Sequence, residues 1–285
     1  MRYAAPTPLA YFASLVAEDD SLNLLEAATC LAQDDEPGLD VQAVLAEVDG
    51  LARRLRARIA PETPPPERLQ ALTRFFHREL GFAGNLNNYY AAENSFVHRV
   101  LQTRRGIPIT LAVLLLELGE QAGLRMAGVA FPGHFLVKCR VGLGEVVIDP
   151  FTGDTLSQSR LDERLAVYRH GSGLPDDWEL PLEFFLRAAT KREILARMLR
   201  NLKEVHRAAQ DWPRLLAVQE RLVVLLPQDA AERRDRGLVL EALGAHAAAA
   251  ADLGFYLEVQ PDAADAPALR QRLAVLQAQR SPPLQ

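Results

Sequence analysis

Residues 108–122, reading Pro-Ile-Thr-Leu-Ala-Val-Leu-Leu-Leu-Glu-Leu-Gly-Glu-Gln-Ala, constrain the fold of this chain more than any other stretch. Pro108 suits the first turn of a helix, where its missing N–H is no loss. Leu111, Leu114, Leu115 and Leu118 recur at helical spacing, and Gly123 closes the run. A helix apolar nearly all round has no face to give to water, so it belongs inside a core. Whatever else the chain builds must surround it.

Three short strands are expected next, over 126–131, 134–141 and 145–149, punctuated by Pro132-Gly133 and Gly142-Leu143-Gly144. Side chains alternate along a strand, so Phe135, Val137, Cys139 and Val141 take the core face. His134, Leu136, Lys138 and Arg140 then face the other way, as do Glu145, Val147 and Asp149 in the next strand. If the two strands form a hairpin, His134 and Asp149 share a face. A carboxylate beside an imidazole fixes its tautomer and favours its charged form. The same pair in a purely structural role would pin the hairpin, and strand phase does not separate the two.

Arg105-Gly106-Ile107-Pro108-Ile109-Thr110-Leu111-Ala112, with Gly128-Val129 and Phe131-Pro132-Gly133-His134-Phe135-Leu136-Val137, resembles the transglutaminase-like branch of the papain fold. More narrowly it resembles the bacterial SirB-type family, which joins such a domain to tetratricopeptide repeats. That resemblance implies an α+β fold: a mostly helical, transglutaminase-like core with a small antiparallel sheet, then an all-α helical array. It also implies a cysteine nucleophile at the start of the central helix. Counted from Gly106 that position is Pro108, which has no nucleophilic atom. Thr110 is the nearest hydroxyl, and a threonine there is expected to bond a preceding backbone carbonyl rather than His134.

Most of the first 60 residues read as helices, one opening at Asp20-Ser21 and another near Asp40. Arg53, Arg54, Arg56 and Arg58 read as a solvated helix end that complements the helix dipole. A helix over 66–79 precedes Gly81-Phe82-Ala83-Gly84-Asn85-Leu86-Asn87-Asn88-Tyr89-Tyr90, a loop. Its Asn88 and Tyr89 either line a cleft or belong to a loop held by its own side chains. Arg105 is a further candidate binding residue. Asn94 or Ser95 is expected to cap the helix that follows. Beyond Asp149-Pro150 come a short helix at 160–168 and a loop over 170–177, and the domain boundary is placed near 187. That gives a transglutaminase-like domain over 1–187 and a repeat domain over 188–285.

The last hundred residues repeat. Pro227 and Pro261 lie 34 positions apart, and Gly237, Gly244, Ala249 and Pro261 follow at gaps of 7, 5 and 12. Those are the small and turn positions of a tetratricopeptide repeat. Helices are expected at 190–209, 212–226, 230–243, 246–259 and 264–279, the last a cap. Two repeats are few for an array that stands alone, so this one is expected to pack on the first domain instead of swinging freely. Asn201, Lys203, Glu204, Arg233 and Arg236 are the candidate contacts of its concave face, suited to a peptide with an acidic end.

A net charge of −5 offers no broad footprint for nucleic acid. No uncharged apolar run is long enough to span a membrane, and the first residues lack a signal peptide's apolar stretch. Cys30 and Cys139 form neither a disulfide framework nor a metal-ligand spacing, so a reduced, cytoplasmic protein without metal or cofactor is expected. Two functions compete. One is a non-catalytic transglutaminase-like scaffold that binds a protein or peptide partner through its repeats. The other is a hydrolase or acyltransferase using His134 and Asp149 with Thr110 or an outside nucleophile.

Overall fold

The structure, a computed structural model, describes residues 6–171 and 180–278. In chain order the helices begin with α1 (Pro8–Leu15), α2 (Leu24–Cys30), α3 (Val41–Arg56) and α4 (Pro65–Thr73), which runs on as a π-helical turn, Arg74–Glu79. Strand β1 (Ala83–Gly84), α5 (Val97–Thr103) and β2 (Arg105–Gly106) lead into the central helix α6 (Pro108–Gln121). Strands β3 (Met126–Val129), β4 (Leu136–Val141), β5 (Gly144–Ile148) and β6 (Thr155–Leu156) follow. Then come α7 (Gln158–Gly171), α8 (Leu182–Phe185), α9 (Lys191–Ala208), α10 (Trp212–Leu225), α11 (Ala230–Ala242), α12 (His246–Val259) and α13 (Ala266–Ala278). The expected loop over 170–177 falls, from 172 on, outside the described residues.

The chain divides into two compact units, and not at 187. One comprises Leu22–Ala32 with Gly38–Met198, the other Met1–Ser21, Gln33–Pro37 and Leu199–Gln285. The boundary therefore falls inside α9, and the N-terminal helix belongs with the repeats.

In the first unit α6 is the core. Leu111, Ala112, Val113, Leu114, Leu115 and Leu118 are all buried, each leucine and valine side chain contributing about 1.5–3 kcal/mol. Helices α2, α3 and α5 pack around it, and β3 and β4 lie against it. Gly119 allows the approach of β3, since a Cβ there would meet Met126 Sδ at 2.1 Å. The antiparallel sheet has the order β3-β4-β5-β6, with Val137 opposite Ile148 and Lys138 opposite Val147. Strand β1 of the short parallel pair β1-β2 lies within the stretch expected to be loop.

The side of the sheet that carries Leu136 and Val147 is covered as well, by α7. Leu136, Val147 and Leu156 pack with Leu161 and Leu165 of α7. Asn94 and Ser95 do not cap α5. They end a 3₁₀ turn, Ala92–Ser95, and Phe96 stands at the cap without a side-chain bond. The Asn94 side chain serves the preceding loop instead. The helix expected from Asp20-Ser21 starts later because Asn23 caps it, accepting from the Glu26 N–H at 3.0 Å.

In the second unit α11 packs on α10 and α12, and α12 on α13. Gly237 faces Leu253, whose side chain a Cβ would meet at 3.1 Å, and Ala249 is fully buried. These are the small positions a repeat pair requires. The extra packing comes from the N-terminus. Helix α1 lies on α10 and buries Phe12 beside the Arg221 guanidinium. Arg221 pairs with Asp34, and Arg214 reaches Asp35 at 2.5 Å.

Candidate functional site

The segment Phe131-Pro132-Gly133-His134 forms a type II turn. The His134 N–H donates to the Phe131 carbonyl at 3.1 Å, and Gly133 sits at φ +67°, where a side chain would be strained. The turn delivers His134 just ahead of β4. Extending the β4–β5 register places Asp149 opposite Leu136, diagonal to His134 on the same face. His134 Nε2 and Asp149 Oδ1 are 2.9 Å apart.

Asp149 is held from every side. Its carbonyl accepts from the Gly153 N–H at 2.8 Å, and its own N–H donates to the Asp154 carbonyl at 2.9 Å. Oδ1 also accepts from the Phe151 N–H, and Oδ2 accepts from Arg164 Nη2, each at 2.9 Å. The side chain is 1% exposed, and that of His134 is 23% exposed. Burial pushes the Asp149 carboxyl upward, but the hydrogen bond and charge of His134, the Phe151 N–H and Arg164 outweigh it. The carboxyl lies below its ordinary range and is ionised. In a neutral ring the bond to this carboxylate puts the proton on Nε2 and leaves Nδ1 as the acceptor. The pair therefore provides an oriented base.

Aromatic rings wall the pair. The Phe151 ring lies 6.3 Å from the His134 ring and 6.2 Å from the Tyr89 ring. Beneath Phe151 runs the backbone of Gly84, whose N–H donates to the Phe151 carbonyl at 2.9 Å. A Cβ on Gly84 would fall 2.2 Å from the Phe151 ring carbons.

The other residues singled out from the sequence have different settings. Pro108 is the buried first residue of α6. Thr110 is fully buried, and its Oγ1 bonds neither a backbone carbonyl nor His134. The Asn-rich loop is held by its own side chains. Asn85 Nδ2 donates to Asn94 Oδ1 at 2.9 Å, and Asn94 Nδ2 donates to the carbonyls of Asn88 at 2.6 Å and Tyr89 at 3.1 Å. Asn88 thus takes part through its backbone, while Tyr89 turns its ring toward Phe151. Arg105 Nη1 is occupied by the carbonyls of Gly81 at 2.7 Å and Arg104 at 2.9 Å.

Arg233 and Arg236 do not line an open concave surface. Arg236 grips Asp252 of α12 through two bonds of 2.6 and 2.8 Å, and Arg233 lies 4.0 Å over the Phe255 ring. Lys203 is buried against Glu232 at 2.8 Å and Asp235 at 2.5 Å. The groove of this unit, about 840 Å³, opens on another side of α11, past Trp212, Leu215, Leu238, Leu269, Arg207 and Arg272. Among the described residues no cluster of three or more His, Cys, Asp or Glu is arranged to hold a metal ion.

Residues 42–200 match the transglutaminase-like superfamily, and residues 202–274 match a tetratricopeptide repeat. A UPF0162 protein of Xylella fastidiosa is 34% identical over 264 residues, covering 92% of this chain and 93% of its own. The chain belongs to the UPF0162 family. Its Pseudomonas aeruginosa relative PA3419 is 31% identical over 253 residues, 89% of this chain and 90% of that one. Escherichia coli YchA is 28% identical over 222 residues, 78% and 80% of the two chains. Among solved structures, menin aligns over 95% of this chain and 70% of its own, with a TM-score of 0.44 at 11% identity. In this UPF0162 chain the transglutaminase-like unit keeps an imidazole–carboxylate pair and has proline where the resemblance implied cysteine. Arg164, which completes that pair, went unnoticed in the sequence. Its signal was the buried stripe of Leu161 and Leu165, which places residue 164 at the edge facing the sheet.

Proposed function

We propose that this protein is a non-catalytic transglutaminase-like scaffold that binds a protein or peptide through its repeat unit, as the SirB-type resemblance suggests, in the cytoplasm. The groove past α11 carries this reading. Leu215, Leu238 and Leu269 offer an apolar floor and Trp212 an aromatic edge, while at the rim Arg207 is paired with Glu204 and Arg272 with Glu241. An extended peptide with apolar anchors fits that floor, and an acidic residue on it would take the place of Glu241 at Arg272. Pro108 supports the non-catalytic half, because it takes the place of the attacking atom. The test is retention of cellular proteins on the immobilised full chain. Leu238→Asp with Arg272→Glu should release those that wild type retains, with Arg74→Glu as the surface control. Equal retention by the double variant would overturn the reading.

A second reading has its own support, since His134 is oriented by a buried carboxylate while part of its ring meets solvent. In that reading the pair acts as a general base on water or on a hydroxyl of the ligand, giving hydrolysis or acyl transfer. Hydrolysis of an activated ester that disappears with His134→Ala and survives Cys139→Ala would favour it over the scaffold.

A further inference from the structure

Arg197 is a poorly compensated cation of the transglutaminase-like unit. It lies in the first turns of α9 and is half-buried. Among the described residues no carboxylate comes within ion-pair distance of it. Its guanidinium makes one long hydrogen bond, Nη1 to the Phe131 carbonyl at 3.4 Å, and lies 5.6 Å from the centre of the Phe135 ring. Of its five N–H donors the protein thus engages one. The other arginine deep in this unit's site, Arg164, has Asp149 as its partner. A guanidinium withdrawn from water without a counter-charge is costly, and an apolar side chain of similar size would be cheaper there.

Its location gives that cost a use. The Phe131 carbonyl that Arg197 touches is the acceptor of the His134 N–H, so the guanidinium and the imidazole residue meet at one oxygen atom. Tyr89 is near enough to feel the Arg197 charge. Burial raises the Tyr89 phenol, the charge of Arg197 lowers it, and Tyr90 raises it, with burial prevailing. Burial likewise lowers Arg197, with Tyr89 its one electrostatic support. The Tyr89 ring leans on Phe151, which stands against His134. Arg197, Tyr89, Phe151 and His134 are therefore linked as successive neighbours.

We propose that Arg197, Tyr89 and His134 form a binding site for a small carboxylate-bearing ligand, with Phe151 as its apolar wall. A carboxylate is planar and matches the fork of a guanidinium with two parallel hydrogen bonds. Tyr89 offers a hydroxyl donor beside it, and Phe151 suits the uncharged part of the ligand next to the acid. The bound anion supplies the counter-charge that the protein does not. This site is separate from the repeat groove and stands whether or not that groove binds a peptide.

N-Acetylglycine is the probe, with its methyl ester and inorganic phosphate as comparison arms, all titrated into the full chain. Two signals are followed: the imidazole resonances of His134 and the thermal midpoint. N-Acetylglycine should shift both in a saturable way, and the uncharged ester should not. Phosphate binding as tightly as N-acetylglycine would overturn the carboxylate assignment. Arg197→Met should weaken binding at least tenfold while leaving the midpoint without ligand unchanged or higher. A merely structural arginine would not give that pattern. Tyr89→Phe, at an exposed side chain, should weaken binding a few-fold without affecting folding, and it serves if Arg197→Met fails to fold. Arg74→Gln, an exposed arginine, should bind as wild type does. Wild type showing no shift with N-acetylglycine, or both Arg197→Met and Tyr89→Phe binding it unchanged, would overturn the proposal.

Discussion

The two units bury charge in opposite ways. Among the described residues of the transglutaminase-like unit, the fully buried polar side chains are Thr29, Asn94, Ser95, His98 and Thr110, with one carboxylate, Asp149. The repeat unit buries Lys203, His206, Gln219, Arg221, Glu232 and Asp252. In the repeats Lys203, Glu232 and Asp252 are met by charged groups of neighbouring helices. Glu232 accepts from Arg200, Lys203 and Gln219, and Asp252 from Arg236. Alanine-rich helices such as α12 have little apolar volume to set their register, and ion pairs supply it. In the sheet, hydrophobic packing already sets the register, and the single buried carboxylate instead orients the imidazole. A buried charge is thus informative about function where it is rare.

The largest test of that contrast is Asp149→Ala. It strips His134, Arg164 and the Phe151 N–H of one shared acceptor and should cost about 3–5 kcal/mol in urea unfolding. A cost below 1 kcal/mol would mean that the hairpin does not depend on its charge. Arg236→Ala should cost about 1.5–3 kcal/mol by leaving Asp252 without its two donors. Here the repeats should differ from the site. Arg236→Met with Asp252→Leu should recover most of that loss, because apolar pairs replace buried ion pairs well. His134→Leu with Asp149→Leu should not recover, since Arg164 and the Phe151 N–H stay unpaired.

The pH dependence sharpens the same point. The Asp149 carboxyl titrates below its unfolded value of about 4, so its stabilising effect is complete above that value. It is lost as pH falls through the lower, folded value. Thermal midpoints of wild type and Asp149→Asn should therefore differ most at neutral pH and converge in acid. A constant difference down to about pH 2 would contradict this. The smallest effect concerns Cys139, which is buried with its thiol pushed up to about 11. At pH 8 iodoacetamide should modify it about two orders of magnitude more slowly than an unperturbed thiol, and unfolding in urea should remove the difference.

The sequence made some of this legible and hid the rest for physical reasons. Helix ends were clear where a side chain caps them, as at Asp40 and Asp211, which accept from Ala43 and Arg214. The shared face of His134 and Asp149 followed from strand phase and survived the discovery that both sides of the sheet are covered. Arg197 was hidden because it reaches the site from a helix well away in the chain, whereas Arg164 had only the short Leu161 and Leu165 stripe of the next helix to mark it. The setting of Arg233 and Arg236 was more accessible. Gly237 marks the side of α11 that meets α12; residue 233, four positions before it, shares that side, and residue 236 is the neighbour of 233 at the next turn. Residues 234, 238 and 241 then turn toward the groove.

Gly84 acts as a shim. It ends β1, in a stretch rich in Asn and Gly, and contributes only the thickness of a bare backbone beneath Phe151. Any side chain there would tilt the ring, whose other neighbours are Tyr89 and His134. A single methyl group at position 84 would thus narrow the space in front of the imidazole without altering any residue that lines it. The width of that opening is set from behind the wall.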